Sequence, residues 1–523
     1  MRALLVTSVG VTCAAALTLP LAAPAVSAPA SHSAPARPPS LILQPAAADP
    51  TRLADADPSP VPPEAAVDAA APPDATANAP DADPRDEGPR PEGPRAAESA
   101  AEPAGSTQSL PLEPLAAPSN RAAGAVAQGL PPRDARRFSL VGVVWDDPDA
   151  ELHGTVQVRT RATGGAGWSD WQDVETHNAE HSADLGSAER ESGGVRGATA
   201  PLWVGDSDGV EVRVRPGAAD PQDGTAAAPL PDGLRLELVH PGEDPEPDPA
   251  RAATGDGAAA SVRFADTPPA TALGPELLTA QAATSSAVNA GLAPFGATVI
   301  PALGQAEAEQ RETLFTAAAA KPYIGPRPGI VTRKGWGADE RLRERTFAYT
   351  KTVKAAFVHH SATGNNYTCK QAPAMLRSIY RYHVKSNGWR DIGYNFAVDK
   401  CGNIYEGRAG GVKRAVLGAH TLGFNSNSMG IAVLGTYSSS NPPTAAVNAV
   451  AKLTAWKLGL FGANPKGKVT LVSGGSNKHK KGKKVKLNVI SGHRDGFATE
   501  CPGSRLYKKL GTARTTAAKL QGR

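Results

Sequence analysis

The chain has 523 residues, room for about three domains at ~150 residues each, yet its 53 glycines and 48 prolines concentrate in Ala/Pro/Asp stretches that bury little apolar surface. Fewer globular units are therefore expected. A formal net charge of +4 is too balanced over this length for a nucleic-acid-binding chain, so no nucleic-acid partner is expected.

Residues 1–28 carry one early basic residue, Arg2, an apolar run around Ala14 to Ala23 and the small-residue ending Val26-Ser27-Ala28, which together read as a cleavable secretory signal. The run is too short for a membrane helix and is broken by Pro20 and Pro24, so a secreted, extracellular protein without stable membrane insertion is expected. Residues 29–133 are Ala, Pro, Asp, Glu and Ser with almost no aromatic side chain and read as a disordered spacer. Residues 134–240 change character: FSLVGVVW, GTVQVRTR, GVEVRVRP and LRLELVHP alternate apolar and polar residues between Gly, Asp and Pro breaks. That pattern predicts a small all-β module, an antiparallel sandwich. Trp168 and Trp171 in GWSDW read as packing within it, with a sugar-stacking platform as the alternative. No constellation of titratable groups in this module points to an active site. Residues 241–325 are again low-complexity linker, with helical possibilities only around 276–290.

Residues 326–523 interleave predicted strands (KAAFVHH, NFAVD, GNIYEGR, MGIAVLG, VKLNVISGH) with an amphipathic helix, QAPAMLRSIYRYHVKS, and a second long helix, AAVNAVAKLTAWKLGLFG. A C-terminal α/β domain with a mixed central sheet flanked by helices is expected. A basic run from Lys466 to Lys486 reads as a solvated hairpin.

Of four cysteines, Cys13 leaves with the signal, and Cys369, Cys401 and Cys501 remain. In an oxidising compartment two pair, and the third thiol needs another explanation, such as a metal. His359 ends a predicted strand in FVHHSAT, and His493 and Cys501 bracket a short loop after another strand in GHRDGFATECPG. Catalytic zinc takes three protein ligands from imidazole, thiolate or carboxylate and leaves the fourth position for water. A His, His, Cys zinc site accounts for the odd cysteine and both histidines at once.

Residues 326–510 resemble the peptidoglycan recognition protein family and the zinc amidases of phage-lysozyme type. The matching segments, in the family's order, are GWGAD (335–339), FVHHSAT (357–363), YHVKSNGWRDIGYNF (382–396), IYEGR (404–408), GAHTLGFNSNSMGI (418–431) and GHRDGFATECPG (492–503). The resemblance implies an N-acetylmuramoyl-L-alanine amidase acting on peptidoglycan, a hydrolase with Zn2+ on His359, His493 and Cys501. Its alternative is a non-catalytic peptidoglycan-binding protein, a form that typically lacks the cysteine. His360 is left out of the ligand set because its side chain points to the opposite face of the strand. The resemblance further implies Tyr394 as the catalytic tyrosine beside the metal and Thr499 at a position where some amidases carry lysine. His420 falls at the rim of the substrate groove or serves a structural role, and Trp389, Asn395, Asn425 and Arg408 are candidates to bind sugar and peptide stem, with Arg408 offering a bidentate fork to a carboxylate or pinning its neighbouring loop by a salt bridge. Cys369 and Cys401, before the first helix and in the turn DKCGN, are left to form the disulfide, a pairing longer than the family's commonest one. A monomer at the cell wall is expected, with the lysine run attracted to anionic wall polymers.

Overall fold

The computed structural model describes residues 105–115, 126–176, 178–217, 228–244, 279–313 and 323–523. The expected signal at 1–28 and the 29–133 spacer up to residue 104 lie outside these residues. No helix among the described residues is long and apolar enough to cross a membrane.

Strands β1 (Ser106–Pro111), β2 (Glu113–Pro114), β3 (Gln128–Trp145), β4 (Gly154–Ala162), β5 (Gln172–Val174), β6 (Gly197–Ala198), β7 (Leu202–Pro216) and β8 (Arg235–His240) form one antiparallel sheet. Its order is β1-β8-β3-β7-β4-β5, with β2 and β6 both added to β3. Register shifts between Leu130 and Leu140 interrupt the β3–β7 ladder, and such bulges bend and twist long strands. The first sheet thus begins at Ser106, well inside the stretch read as spacer. STQSLP escapes sequence reading because β1 is an edge strand: it is held by its ladder to β8, from Ser106 opposite His240 to Pro111 opposite Arg235, rather than by an apolar face.

FSLVGVVW also departs from the alternating pattern, being buried at every position. Phe138, Val141, Val143 and Trp145 enter the sheet's own core with Val156, Val158, Val212 and Leu236. Leu140 and Val144 face the other way and pack against Met375, Leu376 and Ile379 of the C-terminal half. A strand covered on both faces reads as a continuous apolar run. The contact is tight at Gly142, where an added Cβ would lie 2.3 Å from the Tyr382 hydroxyl. That hydroxyl donates to the Thr199 carbonyl at 3.1 Å. Trp168 and Trp171 are stacked by arginines, with the Arg213 guanidinium 3.9 Å from the Trp171 ring centre and Arg159 over both rings.

Two helices and a strand lie in the stretch read as linker. Helix α1 (Ala280–Ala287) is capped by the Thr279 hydroxyl, which accepts from Ala282 N; β9 (Val299–Ile300) and helix α2 (Gln305–Thr313) follow. The second sheet joins β9 to β10 (Ile330–Val331), β11 (Ala355–His360), β12 (Phe396–Val398), β13 (Ile404–Glu406), β14 (Ser428–Val433) and β17 (Ile490–Gly492), in the order β17-β11-β14-β12-β13-β10-β9. It is mixed: β17, β11, β14 and β12 run parallel, while β12–β13 and β9–β10 are antiparallel. Helix α3 (Ala372–Arg381) continues through a π-helical turn at Tyr382–Ser386, and α4 (Thr444–Gly459) packs with α6 (Ser504–Leu520) over the sheet. A one-turn helix, α5 (His493–Gly496), starts directly from β17.

VKLNVISGH divides at Val489, its first part forming β16 (Lys484–Asn488) in a hairpin with β15 (Lys468–Val472) and its second forming β17. Helix α6 carries Leu506, Leu510, Ala513 and Ala517 on one buried stripe, a helical spacing diluted in sequence by threonines and lysines. Cys369 and Cys401 are joined by a disulfide with Cα atoms 6.2 Å apart, tying the start of α3 to the β12–β13 turn.

Candidate metal centre

Strands β11 and β17 are parallel neighbours with Val358 opposite Gly492, so His359 and His493 leave the sheet side by side at its carboxyl ends. Ligands gather at that end of α/β sheets, where strands hold side chains rigidly. The loop after α5 folds back to bring in Cys501, whose N–H donates to Thr499 Oγ1 at 3.1 Å. His360 points to the opposite face, 3.6 Å from the Glu175 carboxylate.

A fourth donor completes the group. His181, from the segment between β5 and β6 of the first sheet, joins His359, His493 and Cys501, and their ligand atoms all lie within 4.8 Å of one another. Cys501 Sγ is 3.6 Å from His181 Nε2 and 3.8 Å from His359 Nδ1. The rings of His181 and His359 each lie 4.4 Å from that of His493. The β module, in which no constellation of titratable groups points to an active site of its own, thus contributes His181 to this one.

The donor set fits a metal. The ring nitrogens of His493 are buried and make no hydrogen bond of ordinary geometry among the described residues, a backbone contact from Glu180 aside. Such groups are costly unless something else satisfies them. His359 Nε2 lies 3.4 Å from the Thr421 hydroxyl, leaving Nδ1 turned toward the cluster, the arrangement by which an outer partner sets a ligand's tautomer. Burial, and then the neighbouring imidazoles, hold His359 and His493 well below the usual imidazole range; burial and then His360 bring His181 down to about 3. All three rings are therefore neutral, as ligands must be. Burial pushes the Cys501 thiol up, a cost that a bound cation reverses by stabilising the thiolate. Three imidazoles and one thiol are a donor set that zinc takes in a tetrahedron.

Tyr394 lies beside the cluster, its ring 5.5 Å from His359 and 5.9 Å from His181. Burial, and then Cys501 and Glu180, raise its phenol, which stays protonated and able to donate. The Thr499 hydroxyl donates to Glu180 Oε1 at 2.7 Å. Arg408 makes a bidentate pair with Glu189 at 2.7 and 2.8 Å. Asn425 donates to Asp184 Oδ1 at 2.7 Å and to the Ser182 carbonyl at 2.9 Å. Trp389 stacks on His383 with ring centres 4.4 Å apart.

Three residues expected to meet substrate are spent inside the fold, Asn425 among them, its Oδ1 accepting from His420 N and Thr421 N. Asn395 donates to the Val416 carbonyl and accepts from Gly430 N, so both ends of its amide are used. His420 is fully buried behind His359, ring centres 5.4 Å apart, with its Nδ1 on Thr421, rather than at a groove rim. A polar side chain in a Gly-rich turn serves the local backbone as readily as a ligand. Sequence reasoning missed His181, Glu180, Asp184 and Glu189. The available signal was length: residues 175–196 exceed the ~12–15 residues beyond which an irregular connection is usually functional.

Comparison with known proteins follows the same division. A family model described as Rv3811 N-terminal galactose-binding domain-like matches residues 94–232, and one described as N-acetylmuramoyl-L-alanine amidase matches residues 349–504. The chain is 33% identical over 185 residues to peptidoglycan-recognition protein SC2 of Drosophila simulans, spanning 35% of this chain and 85% of that protein. It is 31% identical over 188 residues to peptidoglycan-recognition protein SC1a of Drosophila melanogaster, spanning 36% and 87%. With the N-acetylmuramoyl-L-alanine amidase of Homo sapiens it shares 31% identity over 192 residues, spanning 35% of this chain and 28% of that one. The chain, through the half that carries the second sheet and its strand-end ligands, belongs to the peptidoglycan-recognition protein and N-acetylmuramoyl-L-alanine amidase family.

Proposed function

We propose that the protein is a secreted, zinc-dependent N-acetylmuramoyl-L-alanine amidase, hydrolysing the amide between N-acetylmuramic acid and L-alanine in peptidoglycan, with its chemistry in residues 326–523. The observation that carries this reading is the convergence of His359, His493 and Cys501 with the Tyr394 phenol beside them. Zinc on those ligands supplies Lewis acidity toward water and toward the scissile carbonyl. The relative named as an amidase supports the choice of bond.

Tyr394 donates its hydroxyl proton as a hydrogen bond to the developing oxyanion, from a buried position where such a bond is worth more than in water. Thr499 adds a neutral donor, so its contribution to a charged transition state is smaller than a lysine's at that place. Arg408 supplies a planar fork for a stem-peptide carboxylate, and Trp389 a face against which sugar or peptide packs. The exposed lysines of the β15–β16 hairpin add electrostatic attraction to anionic wall polymers. Wall retention is expected to fall between low and high salt, and to lose that dependence when Lys480, Lys481, Lys483 and Lys484 are neutralised; salt-independent retention of the unaltered protein rejects this part.

The test of the activity is the appearance of new L-alanine amino groups in digested peptidoglycan. Release is expected to stop after chelation and to return on adding zinc, and undiminished release by the metal-stripped protein rejects the reading. Tyr394→Phe is expected to retain zinc and to lower kcat by about 100-fold to 1000-fold, the scale of removing one oxyanion donor.

A further inference from the structure

The segment 175–196 belongs to the first sheet's chain yet lies on the second sheet's metal centre. Three of the groups it engages there, the fourth metal position, the Thr499 hydroxyl and the Arg408 fork, are ones that the proposed reaction uses. His181 is the fourth donor of a cluster whose other three members suffice for a hydrolytic site. A tetrahedral site with four protein ligands is closed, whereas hydrolysis requires one position open. Beside His181, Glu180 takes the Thr499 hydroxyl and its carbonyl accepts from Leu422 N. Farther along, Glu189 fills both arms of the Arg408 fork, with a carboxylate in the position a substrate carboxylate requires. Asp184 accepts from Gly423 N and from Asn425, both at 2.7 Å. His181, Glu180 and Glu189 are 3–6% exposed, so no substrate reaches these groups while the segment is seated.

We propose that residues 175–196 are an intramolecular inhibitor of the metal centre, in which His181 is a displaceable fourth ligand and Glu189 a carboxylate mimic held by Arg408. The inference rests on the amidase reading for its inhibitory half; ligation by His181 stands independently of it. The tethered segment competes with water and substrate at high effective concentration, and it lies outside both sheets, so its release breaks neither ladder. Turnover then scales with the fraction of molecules whose segment is open.

The experiment uses the zinc-loaded full chain, with His181→Ala and Glu189→Gln as separate variants. X-ray absorption at the zinc edge counts imidazoles through their multiple-scattering signal, and hydrolysis of a soluble muramoyl peptide is followed in parallel. Three imidazoles and one sulfur are expected in the unaltered protein, and two imidazoles and one sulfur in His181→Ala. Hydrolysis is expected to rise about tenfold or more in both variants. Glu189→Gln leaves all four ligands in place, so a rise there cannot come from an altered ligand set. Two imidazoles in the unaltered protein overturn the fourth-ligand assignment. A metal-loaded His181→Ala that hydrolyses no faster, or more slowly, while the unaltered protein is active overturns inhibition and leaves the amidase reading intact. Loss of one imidazole with no hydrolysis by any variant upholds ligation by His181 and sinks the amidase reading.

Discussion

Cys501→Ser is expected to lower zinc affinity by more than about 100-fold and to take amide hydrolysis below detection. Removing a partner that only orients a ligand typically costs about 10–100-fold in affinity, and loss of a direct thiolate exceeds that. Serine nearly preserves the volume of the buried thiol, so the surrounding packing is kept and the deficit falls on the metal. The replacement removes the only sulfur donor of the cluster, and the three imidazoles left behind are neutral. Zinc retained after dialysis against a competing chelator is the measurement, with the melting curve of the metal-free forms as the control. Equal retention by the two proteins rules out the thiolate as a ligand.

The second large effect concerns the ion pair between Arg408 and Glu189. Both side chains are under 10% exposed, and the fork makes two bonds of ordinary length. Burial opposes ionisation of Glu189, but the adjacent guanidinium outweighs it and holds the carboxyl below its usual range. Removing one partner of such a pair costs about 3–5 kcal/mol because a buried charge loses its compensation. Here the cost has an outlet: Glu189 sits on an irregular segment, and by lifting off it regains water. Arg408→Gln is therefore expected to raise amide exchange across 178–192 by roughly 100-fold or more while leaving exchange in β11 and α4 unchanged. Uniform loss of protection throughout the second sheet, or none in the segment, contradicts this.

The residues that were legible in the sequence are those whose role forces a local pattern. His359 lies at the end of β11, His493 directly follows β17, and Cys501 closes a Gly-rich loop after it, so residue type and position agree. The β11, β12, β13 and β14 strands follow from short apolar runs between breaks, and α3 from its apolar stripe. Strand β1 was not legible because an edge strand needs a partner's ladder more than an apolar face. Nor was His181, which lies in a stretch without periodicity and whose partners are far along the chain. Asn395 and His420, read as candidates to meet substrate, turn to neighbours within the fold. Which of a polar side chain's neighbours it satisfies is decided by tertiary packing, and here those neighbours are Val416, Gly430, Thr421 and Ser428.

The two-faced burial of β3 bears on how the molecule comes apart. Leu140, Val144, Trp203 and Val239 from the first sheet share one apolar cluster with Met375, Leu376, Ile379 and Tyr382 from the second half. Each such side chain is worth about 1.5–3 kcal/mol when kept from water. The halves are expected to melt together in a single calorimetric transition, and two resolved transitions show them to be separate folding units. The segment between β5 and β6 belongs to neither sheet and adds no residue to that shared cluster, so its release leaves the cluster intact.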